Sequence, residues 1–242
     1  MAYTVEKIVP QNSENAPKSN LIAKMFDEIS EHYDLLNRTL SFGIDRYWRK
    51  KGIDTLKAFA PQKILDIATG TGDLAITACR RLRPQEILGI DISEKMMAIG
   101  RKKTVGMNIR FEQRDCTHSG LESDSFDAAI MAYGIRNFED IDKGLQEILR
   151  ILRPKGRLMI LEMSVPEYFP MKQLYRLYAK LIPFVGRIFS RNKAAYSYLP
   201  ESIAAFPQNA RMVEILTKNG FADAQFKKLT FGVCTLYSAC KN

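Results

Sequence analysis

The stretch Lys63-Ile-Leu-Asp-Ile-Ala-Thr-Gly-Thr-Gly-Asp73 indicates how this chain of 242 residues folds. Its apolar run is typical of a buried strand, and the run stops abruptly at Gly70 and Gly72. Glycine lets the backbone turn tightly and leaves room for a ligand against the main chain. Apolar residues then recur at helical spacing over residues 74–82. We therefore predict a strand, a ligand-binding turn and a helix whose first N–H groups face the ligand.

A carboxylate ends the next predicted strand, Ile87-Leu-Gly-Ile-Asp91. Asp91 follows the glycine turn by about twenty residues, a position from which an acid accepts hydrogen bonds from both hydroxyls of a ribose. The turn and the acid together also satisfy the loose dinucleotide-binding pattern. This fingerprint alone therefore fits NAD as well as any other adenosine ligand.

Three further features favour S-adenosylmethionine over NAD. Asp66 lies in the first strand just before the turn, Asp115 closes a third strand, and no second mononucleotide-binding half follows. Carboxylates attract a sulfonium ligand with a free amino group, whereas they repel a pyrophosphate. The alternative role of Asp66 and Asp115 is to cap a turn or a strand end.

Composition limits the class of protein. The chain is 46% hydrophobic and has no low-complexity linker, which predicts one domain over residues 1–242. Residues 1–18 are polar, and no window approaches the roughly 18 apolar residues of a membrane span, so we expect a cytoplasmic protein. Four cysteines without a Cys-x-x-Cys pair, and only two histidines (His32 and His118), predict reduced thiols, no metal site and no Ser-His-Asp hydrolase.

A basic segment follows the central part of the chain. The net charge of +9 permits attraction to nucleic acid or to anionic lipid. Between Glu167 and Lys193 the cations are Lys172, Arg176, Lys180, Arg187, Arg191 and Lys193. Apolar residues recur there at helical spacing, at Leu174, Leu177, Tyr178, Leu181 and Ile182. The segment fits a helix that lies on a membrane, and it also fits a helix packed on the domain with solvated lysines. Between the two acidic partners, the pattern favours lipid.

The order of predicted elements defines the fold class. Residues 22–48 predict two helices with a break at Ser41-Phe-Gly43, as N-terminal lid helices within residues 1–60. Predicted strands then alternate with helices, which indicates a parallel, doubly wound sheet; the strands are 63–68, 86–91, 109–115, 126–132 and 157–163, and the helices 73–83, 93–103 and 139–152.

The end of the chain predicts an antiparallel hairpin. A helical insertion over residues 165–206 and a helix at 208–220 precede strands at 223–231 and 233–241, and the turn at Gly232 is too short for a parallel connection. The predicted class is α/β, a Rossmann-like class I methyltransferase with a seven-stranded, mostly parallel sheet that ends in this hairpin. Ligands of such sheets bind beyond the carboxyl ends of the strands.

The chain resembles the UbiE/MenG quinone C-methyltransferase family along nearly its whole length. Two stretches carry the resemblance, Tyr33-Asp-Leu-Leu-Asn-Arg-Thr-Leu-Ser-Phe-Gly-Ile-Asp-Arg-Tyr-Trp48 and Arg150-Ile-Leu-Arg-Pro-Lys-Gly-Arg-Leu-Met-Ile-Leu-Glu-Met-Ser164. The shorter segments Tyr133-Gly-Ile-Arg-Asn137 and Tyr196-Ser-Tyr-Leu-Pro-Glu-Ser202 are similar to family segments too. In two places the chain departs from the family pattern. Asp45 stands where histidine is usual, and Lys155 where glycine is usual, so a scheme with a histidine base at the first position is in doubt.

The resemblance implies methyl transfer from S-adenosylmethionine to a ring carbon of a prenylated quinol. The expected substrate is demethylmenaquinol, with the benzoquinol of ubiquinone biosynthesis as the alternative. By the same resemblance, Thr71 in the glycine turn contacts the cofactor, Asp91 binds the ribose, and Asp115 with Cys116 binds the adenine.

The chemistry of a quinol suggests one catalytic residue. A ring carbon becomes a strong nucleophile when a neighbouring hydroxyl, with a pKa near ~10, loses its proton. Arg136, just after the fourth strand, is placed to stabilise the resulting oxyanion. The alternative is an ion pair with a neighbouring acid such as Asp140. A prenyl tail stays in the bilayer, so we also expect transient contact with the inner face of the membrane.

Two other classes of protein remain to be distinguished. A nucleic-acid methyltransferase shares the fold and the charge, but the chain lacks an Asn-Pro-Pro-Tyr motif and a Pro-Cys nucleophile. A non-catalytic sensor of an adenosyl ligand leaves the aromatic N-terminal helices without a purpose. We therefore expect no nucleic-acid partner, and the sequence leaves the oligomeric state open.

Overall fold

A seven-stranded sheet forms the centre of the protein. The computed structural model describes residues 3–10, 16–189 and 193–242. The strands are β1 Lys63–Ile67, β2 Glu86–Asp91, β3 Ile109–Gln113, β4 Phe126–Ala132, β5 Leu152–Met163, β6 Ala222–Leu229 and β7 Cys234–Cys240. Their order across the sheet is β3-β2-β1-β4-β5-β7-β6, and β7 alone runs antiparallel to its neighbours β5 and β6. The predicted fold class is confirmed.

Helices cover both faces of the sheet and its carboxyl edge. Their bounds are α1 Lys18–Leu40, α2 Asp45–Asp54, α3 Asp73–Leu82, α4 Glu94–Lys103, α5 Ile141–Ile151, α6 Met171–Phe189, α7 Lys193–Ala205 and α8 Ala210–Lys218. Most elements begin and end within a few residues of the predicted positions. β5 begins five residues earlier than predicted (152 against 157), because Leu152 already pairs with Phe126 of β4.

The central strands are apolar because both of their faces are covered. Along β1, Leu65 packs with α5 and α8 on one face, while Ile64 packs with α2 and α3 on the other. Both side chains are fully buried. Parallel strands covered on both sides lose the polar alternation of a half-exposed sheet, which is why the strand sequences are continuous apolar runs.

Helix α1 lies across the edge where the strands end. Asp34 accepts a hydrogen bond from the hydroxyl of Thr71 after β1, at 2.6 Å, and Asp27 accepts one from Ser93 after β2, also at 2.6 Å. Ser19 donates to Glu139 after β4 at 2.9 Å. One helix thus contacts the loops after three strands and covers the ligand-binding edge of the sheet. Its role as a lid, like the division of the chain into one domain with two additions, stays a prediction.

The helical insertion packs beside α1. Tyr178 of α6 donates to the carbonyl oxygen of Leu40 at 2.7 Å, and Tyr198 of α7 donates to the side-chain oxygen of Asn137 at 2.9 Å. Within residues 3–10, 16–189 and 193–242, no helix combines the length and the apolar character that crossing a bilayer requires.

Candidate active site

The glycine turn has the backbone that its sequence predicts. Gly70 has a φ of 55° and Gly72 a φ of 79°, both in the left-handed region that favours glycine. A Cβ atom on Gly72 would lie 2.9 Å from a ring carbon of Phe111. Any larger residue at position 72 therefore strains the backbone and collides with β3.

Asp66 supplies an unpaired acceptor beneath this turn. Its side chain is 1% exposed, and Oδ2 accepts hydrogen bonds from the hydroxyl of Thr69 at 2.7 Å and from the N–H of Ala75 at 3.0 Å. Burial raises the pKa of Asp66 to about 7 against the effect of these two bonds. Oδ1 is buried and has no partner among the described residues. Because Asp66 lines a cavity of about 30 Å³, the orphaned oxygen fits a ligand ammonium group.

Asp91 ties the turn to the next strand. Its Oδ2 accepts from the N–H of Gly70 at 2.8 Å, and its Oδ1 accepts from the N–H of Ser93 at 2.9 Å. Burial raises the pKa of this carboxyl above its usual range. Each oxygen keeps a further lone pair. Asp91 lines a second cavity of about 70 Å³, where those lone pairs suit the two hydroxyls of a ribose.

Asp115 and Cys116 line the same cavity as Asp91. Oδ1 of Asp115 accepts from the N–H of Thr117 at 2.8 Å and from its hydroxyl at 2.7 Å, so this acid also caps a turn. Burial raises the pKa of the Cys116 thiol well above its usual range and keeps the thiol neutral. The structure brings both residues to the cavity, and their contact with an adenine stays a proposal.

Thr71 is engaged in a contact that its sequence does not predict. Its hydroxyl donates to Asp34 of α1 and accepts from Lys103 of α4 at 3.1 Å. Lys103 also pairs with Asp34 and with Asp73. The Thr71 side chain therefore joins the turn to helix α1 above it, and Thr71 also lines the cavity of about 30 Å³.

A larger, mostly apolar cavity of about 340 Å³ adjoins the two smaller ones. Side chains from α1, α2, α6 and α7 line it, among them Met25, Ile29, Leu36, Trp48, Tyr175, Tyr178 and Leu199. Tyr33 and Tyr133 line all three cavities. The two smaller cavities and the apolar one thus share these two aromatic residues.

Arg136 lines the apolar cavity from the loop after β4. One guanidinium nitrogen donates to Oε1 of Glu162 on β5 at 2.6 Å and to the carbonyl oxygen of Tyr133 at 2.7 Å. Burial alone would lower the pKa of Arg136, but the Glu162 carboxylate outweighs it and raises the pKa. Nε is buried and lacks an acceptor within the described part of the chain.

The alternative partner considered for Arg136, Asp140, is wrong. Asp140 caps α5, since its side chain accepts from the N–H of Lys143 at 2.9 Å. The ion pair exists instead with Glu162, which is 26 residues away along the chain and fully buried. The sequence feature that could have identified Glu162 is its position, an acid at the end of an apolar strand.

Tyr133 is a second residue to which the sequence assigned no role, although its segment was expected at the cleft. It has a φ of 62°, a left-handed conformation that is uncommon for an aromatic residue. Arg49 lies over its ring, 5.9 Å from the centroid. Burial raises the pKa of its hydroxyl well above the usual range, and its polar neighbour is the weakly bonding thiol of Cys234. A strained aromatic residue at the junction of three cavities is typical of a functional site.

Comparison with known proteins identifies the family. The model of the ubiE/COQ5 methyltransferase family matches residues 14–241. A demethylmenaquinone methyltransferase of Bacteroides fragilis is 50% identical and covers 100% of both chains, and the protein of the same name from Porphyromonas gingivalis is 45% identical with 98% of each chain covered. The ubiquinone/menaquinone biosynthesis C-methyltransferase UbiE of Geobacter sulfurreducens is 39% identical over 93% of this chain and 90% of its own.

Solved structures share the fold at low sequence identity. Human N-acetylserotonin methyltransferase in complex with S-adenosylmethionine has a TM-score of 0.65, with 17% identity over 98% of this chain and 63% of its own. A possible histamine N-methyltransferase of Thermotoga maritima has a TM-score of 0.63, with 18% identity over 91% and 100% of the two chains. The chain therefore belongs to the ubiE/COQ5 methyltransferase family and is an S-adenosylmethionine-dependent methyltransferase.

Proposed function

We propose that this enzyme methylates a ring carbon of a prenylated quinol and converts demethylmenaquinol into menaquinol. The apolar cavity of about 340 Å³ is the observation that supports this substrate class, because it adjoins the cofactor cavities and its size suits an aromatic head group. Relatives at 45 and 50% identity carry the name demethylmenaquinone methyltransferase. A benzoquinol is the second candidate, since a relative at 39% identity is named for both quinones.

The residues that line the two smaller cavities suit the groups of the cofactor. The orphaned oxygen of Asp66 would accept from the amino group, Asp91 would accept from the ribose, and Asp115 with Cys116 would contact the adenine. Gly70, Thr71 and Gly72 shape the turn between these contacts. The sulfonium methyl group then lies near Tyr33 and Tyr133, where the apolar cavity begins. No metal takes part in this scheme.

Purified protein with labelled S-adenosylmethionine tests the substrate. We expect label in reduced demethylmenaquinone dispersed in detergent, at a higher kcat/KM than in the corresponding demethylated benzoquinol, and none in total RNA. If the benzoquinol is labelled with the higher kcat/KM, the enzyme catalyses the methylation step of ubiquinone biosynthesis instead. Label in RNA alone would contradict the proposal.

Removal of the ribose contact should weaken cofactor binding. Asp91→Ala deletes a bidentate acceptor worth roughly 1.5–3 kcal/mol, which is about a tenfold to hundredfold increase in Kd. Calorimetric titration with S-adenosylhomocysteine measures it, and thermal unfolding shows whether the variant is folded. Asp54→Asn, an ion-paired acid on α2 outside all three cavities, is the control. An unchanged Kd for a folded Asp91→Ala protein would exclude this contact.

Arg136 is the proposed oxyanion-stabilising residue. Arg136→Ala leaves the buried Glu162 carboxylate without its cation, a change that costs about 3–5 kcal/mol of stability, so the lysine variant is more informative. Arg136→Lys keeps a charge but loses the planar donor, and we expect kcat to fall about 10²–10³-fold. The Kd for the cofactor should stay unchanged. If Arg136→Lys turns over like the wild type, Arg136 only pairs with Glu162.

We further propose that the enzyme works from the cytoplasm at the inner face of the membrane. Exposed aromatic side chains line the apolar cavity or stand close in sequence to residues that line it: Phe42 lines it from the α1–α2 turn, Tyr168 and Phe169 precede Met171 of α6, and Phe231 follows Thr230 in the β6–β7 turn. On α6, Leu174, Tyr175 and Tyr178 line the cavity, while Leu174 and Leu177 are also more than half exposed. The predicted apolar stripe of this segment is thus divided between cavity and surface. The side chains of residues 181–196 and all of Arg191 lie outside the described part.

Vesicle flotation tests this surface. Phe42→Ser with Phe231→Ser should reduce recovery on vesicles, whereas Val105→Ser should not, although Val105 is as exposed as Phe42 at 83%. Reversal of Lys172, Arg176 and Lys180 to glutamate should reduce binding to anionic vesicles, at about 1 kcal/mol for each cation, and added salt should act in the same direction. Equal recovery of all folded variants would contradict membrane docking by this face.

A further inference from the structure

One acid lines the mostly apolar cavity. Of the described residues that line it, Asp45 is the sole carboxylate, and none is a lysine or a histidine. Arg136 is the one cation among them. Asp45 is 3% exposed and begins α2, directly after the exposed turn at the cavity mouth. A charge buried in an apolar wall is costly unless other groups hold it.

Two neighbours bind the side chain of Asp45. The hydroxyl of Ser41 donates to Oδ1 at 2.8 Å, and the guanidinium of Arg49 donates to Oδ2. Arg49 is itself fixed, because it lies 3.6 Å from Asp73 and over the ring of Tyr133. A carboxylate oxygen can accept two hydrogen bonds, and each oxygen of Asp45 accepts one from these neighbours. Asp45 therefore has acceptor capacity left for a ligand hydroxyl.

The other polar groups of the cavity are poor proton acceptors. Burial raises the pKa of Tyr175 and of Tyr178 to about 12, and it raises the pKa of Tyr33, Tyr133 and Tyr198 as well. These phenols are neutral at physiological pH and offer no basic oxygen. Arg136 is protonated beside Glu162 and donates only.

Both ion pairs contact Tyr133: Arg49 lies 5.9 Å from its ring centroid, and Arg136 donates to its carbonyl oxygen at 2.7 Å. Burial is the main cause of the raised pKa of Tyr133, but the charges of Asp45, Arg49 and Glu162 also act on it, as does the Cys234 thiol. Arg49 also lies 3.6 Å from Asp73, and Glu162 is the ion-pair partner of Arg136. A ring that enters between Tyr33 and Tyr133 therefore lies near both a carboxylate and a guanidinium.

We propose that Asp45 is the general base that takes the proton from the quinol hydroxyl next to the carbon that is methylated. This inference rests on the proposed quinol substrate. Oδ1 or Oδ2 accepts the hydroxyl proton while the electron pair of that O–H bond moves into the ring. The adjacent ring carbon forms a bond to the methyl carbon, and the bond from that carbon to sulfur breaks and leaves S-adenosylhomocysteine.

The later steps balance the protons. The methylated ring carbon still carries its hydrogen, and the oxygen is a carbonyl. Loss of the ring proton to water restores the aromatic ring and the oxyanion, which takes back the proton held by Asp45. One proton is released to solvent in each turnover, and no oxidant or reductant is consumed.

The test compares pH–rate profiles of Asp45 variants with reduced short-chain demethylmenaquinone as substrate. Asp45→Asn should lower kcat about 10²–10⁴-fold at neutral pH with an unchanged cofactor Kd. Its residual rate should rise about tenfold per pH unit, because the hydroxyl with a pKa near ~10 must then ionise without help, whereas the wild-type rate stays level across neutral pH. Asp54→Asn on the same helix, also an ion-paired acid, should behave like the wild type.

Asp45→His provides a rescue. The kcat of Asp45→His should exceed that of Asp45→Asn, because a neutral imidazole can accept the proton. Its rate should rise around pH ~6.5, where the imidazole loses its own proton. If the asparagine variant does not fold, because Arg49 has lost its partner, the histidine and glutamate variants decide. A pH–rate profile of Asp45→His that rises around pH ~6.5, together with a lower kcat in Asp45→Glu, would support Asp45 as the general base.

Three outcomes overturn the inference. If Asp45→Asn has the rate of the wild type, Asp45 is not the general base. If Asp45→Asn has a lower rate but the pH–rate profile of the wild type, Asp45 only positions Arg49. If the wild type methylates no quinol at all, the proposed function fails and the inference with it, whereas the first two outcomes leave the proposed function intact.

Discussion

The hydrogen bonds of two carboxylates to the glycine turn and to the helix that follows it are the constraint on which the rest of the site depends. Asp91 holds the N–H of Gly70, and Asp66 holds the N–H of Ala75 at the start of α3. The groups that shape the turn are thus the same groups that would receive the cofactor. One oxygen of Asp66 gains no hydrogen bond within the described part of the protein. An unpaired buried acceptor lowers stability, and binding of a cationic amino group would recover that loss.

Helix α1 is coupled to this turn by charge. Asp34 receives the hydroxyl of Thr71 and the ammonium of Lys103, so three elements of the sheet edge share one ionic contact. The opposite side of the helix supplies Met25, Ile29 and Leu36 to the apolar cavity. The helix therefore forms a wall of the apolar cavity and covers the glycine turn.

Local sequence predicts much of this architecture, and long-range packing explains the remainder. Strand–helix alternation and the positions of Asp66, Asp91 and Asp115 follow from periodicity and from strand ends. The partner of Arg136 does not, because it depends on the register of β4 and β5, in which Ala132 pairs with Leu161 just before Glu162. Asp140 is nearer in sequence, but it caps α5. Likewise, the apolar cavity is built by four helices that are distant in the chain, and no local pattern specifies such a space.

The electrostatics of the apolar cavity bear directly on its chemistry. Burial that raises the pKa of Tyr175 and Tyr178 to about 12 acts equally on a quinol hydroxyl bound beside them. An apolar cavity alone would therefore suppress the ionisation that ring methylation needs. Buried ion pairs contribute little to stability, so two of them in one cavity, Asp45 with Arg49 and Arg136 with Glu162, require another reason. In the proposed mechanism, the guanidinium of Arg136 offsets the effect of burial on the quinol oxygen and Asp45 takes its proton, which would reconcile an apolar acceptor site with an anionic reaction.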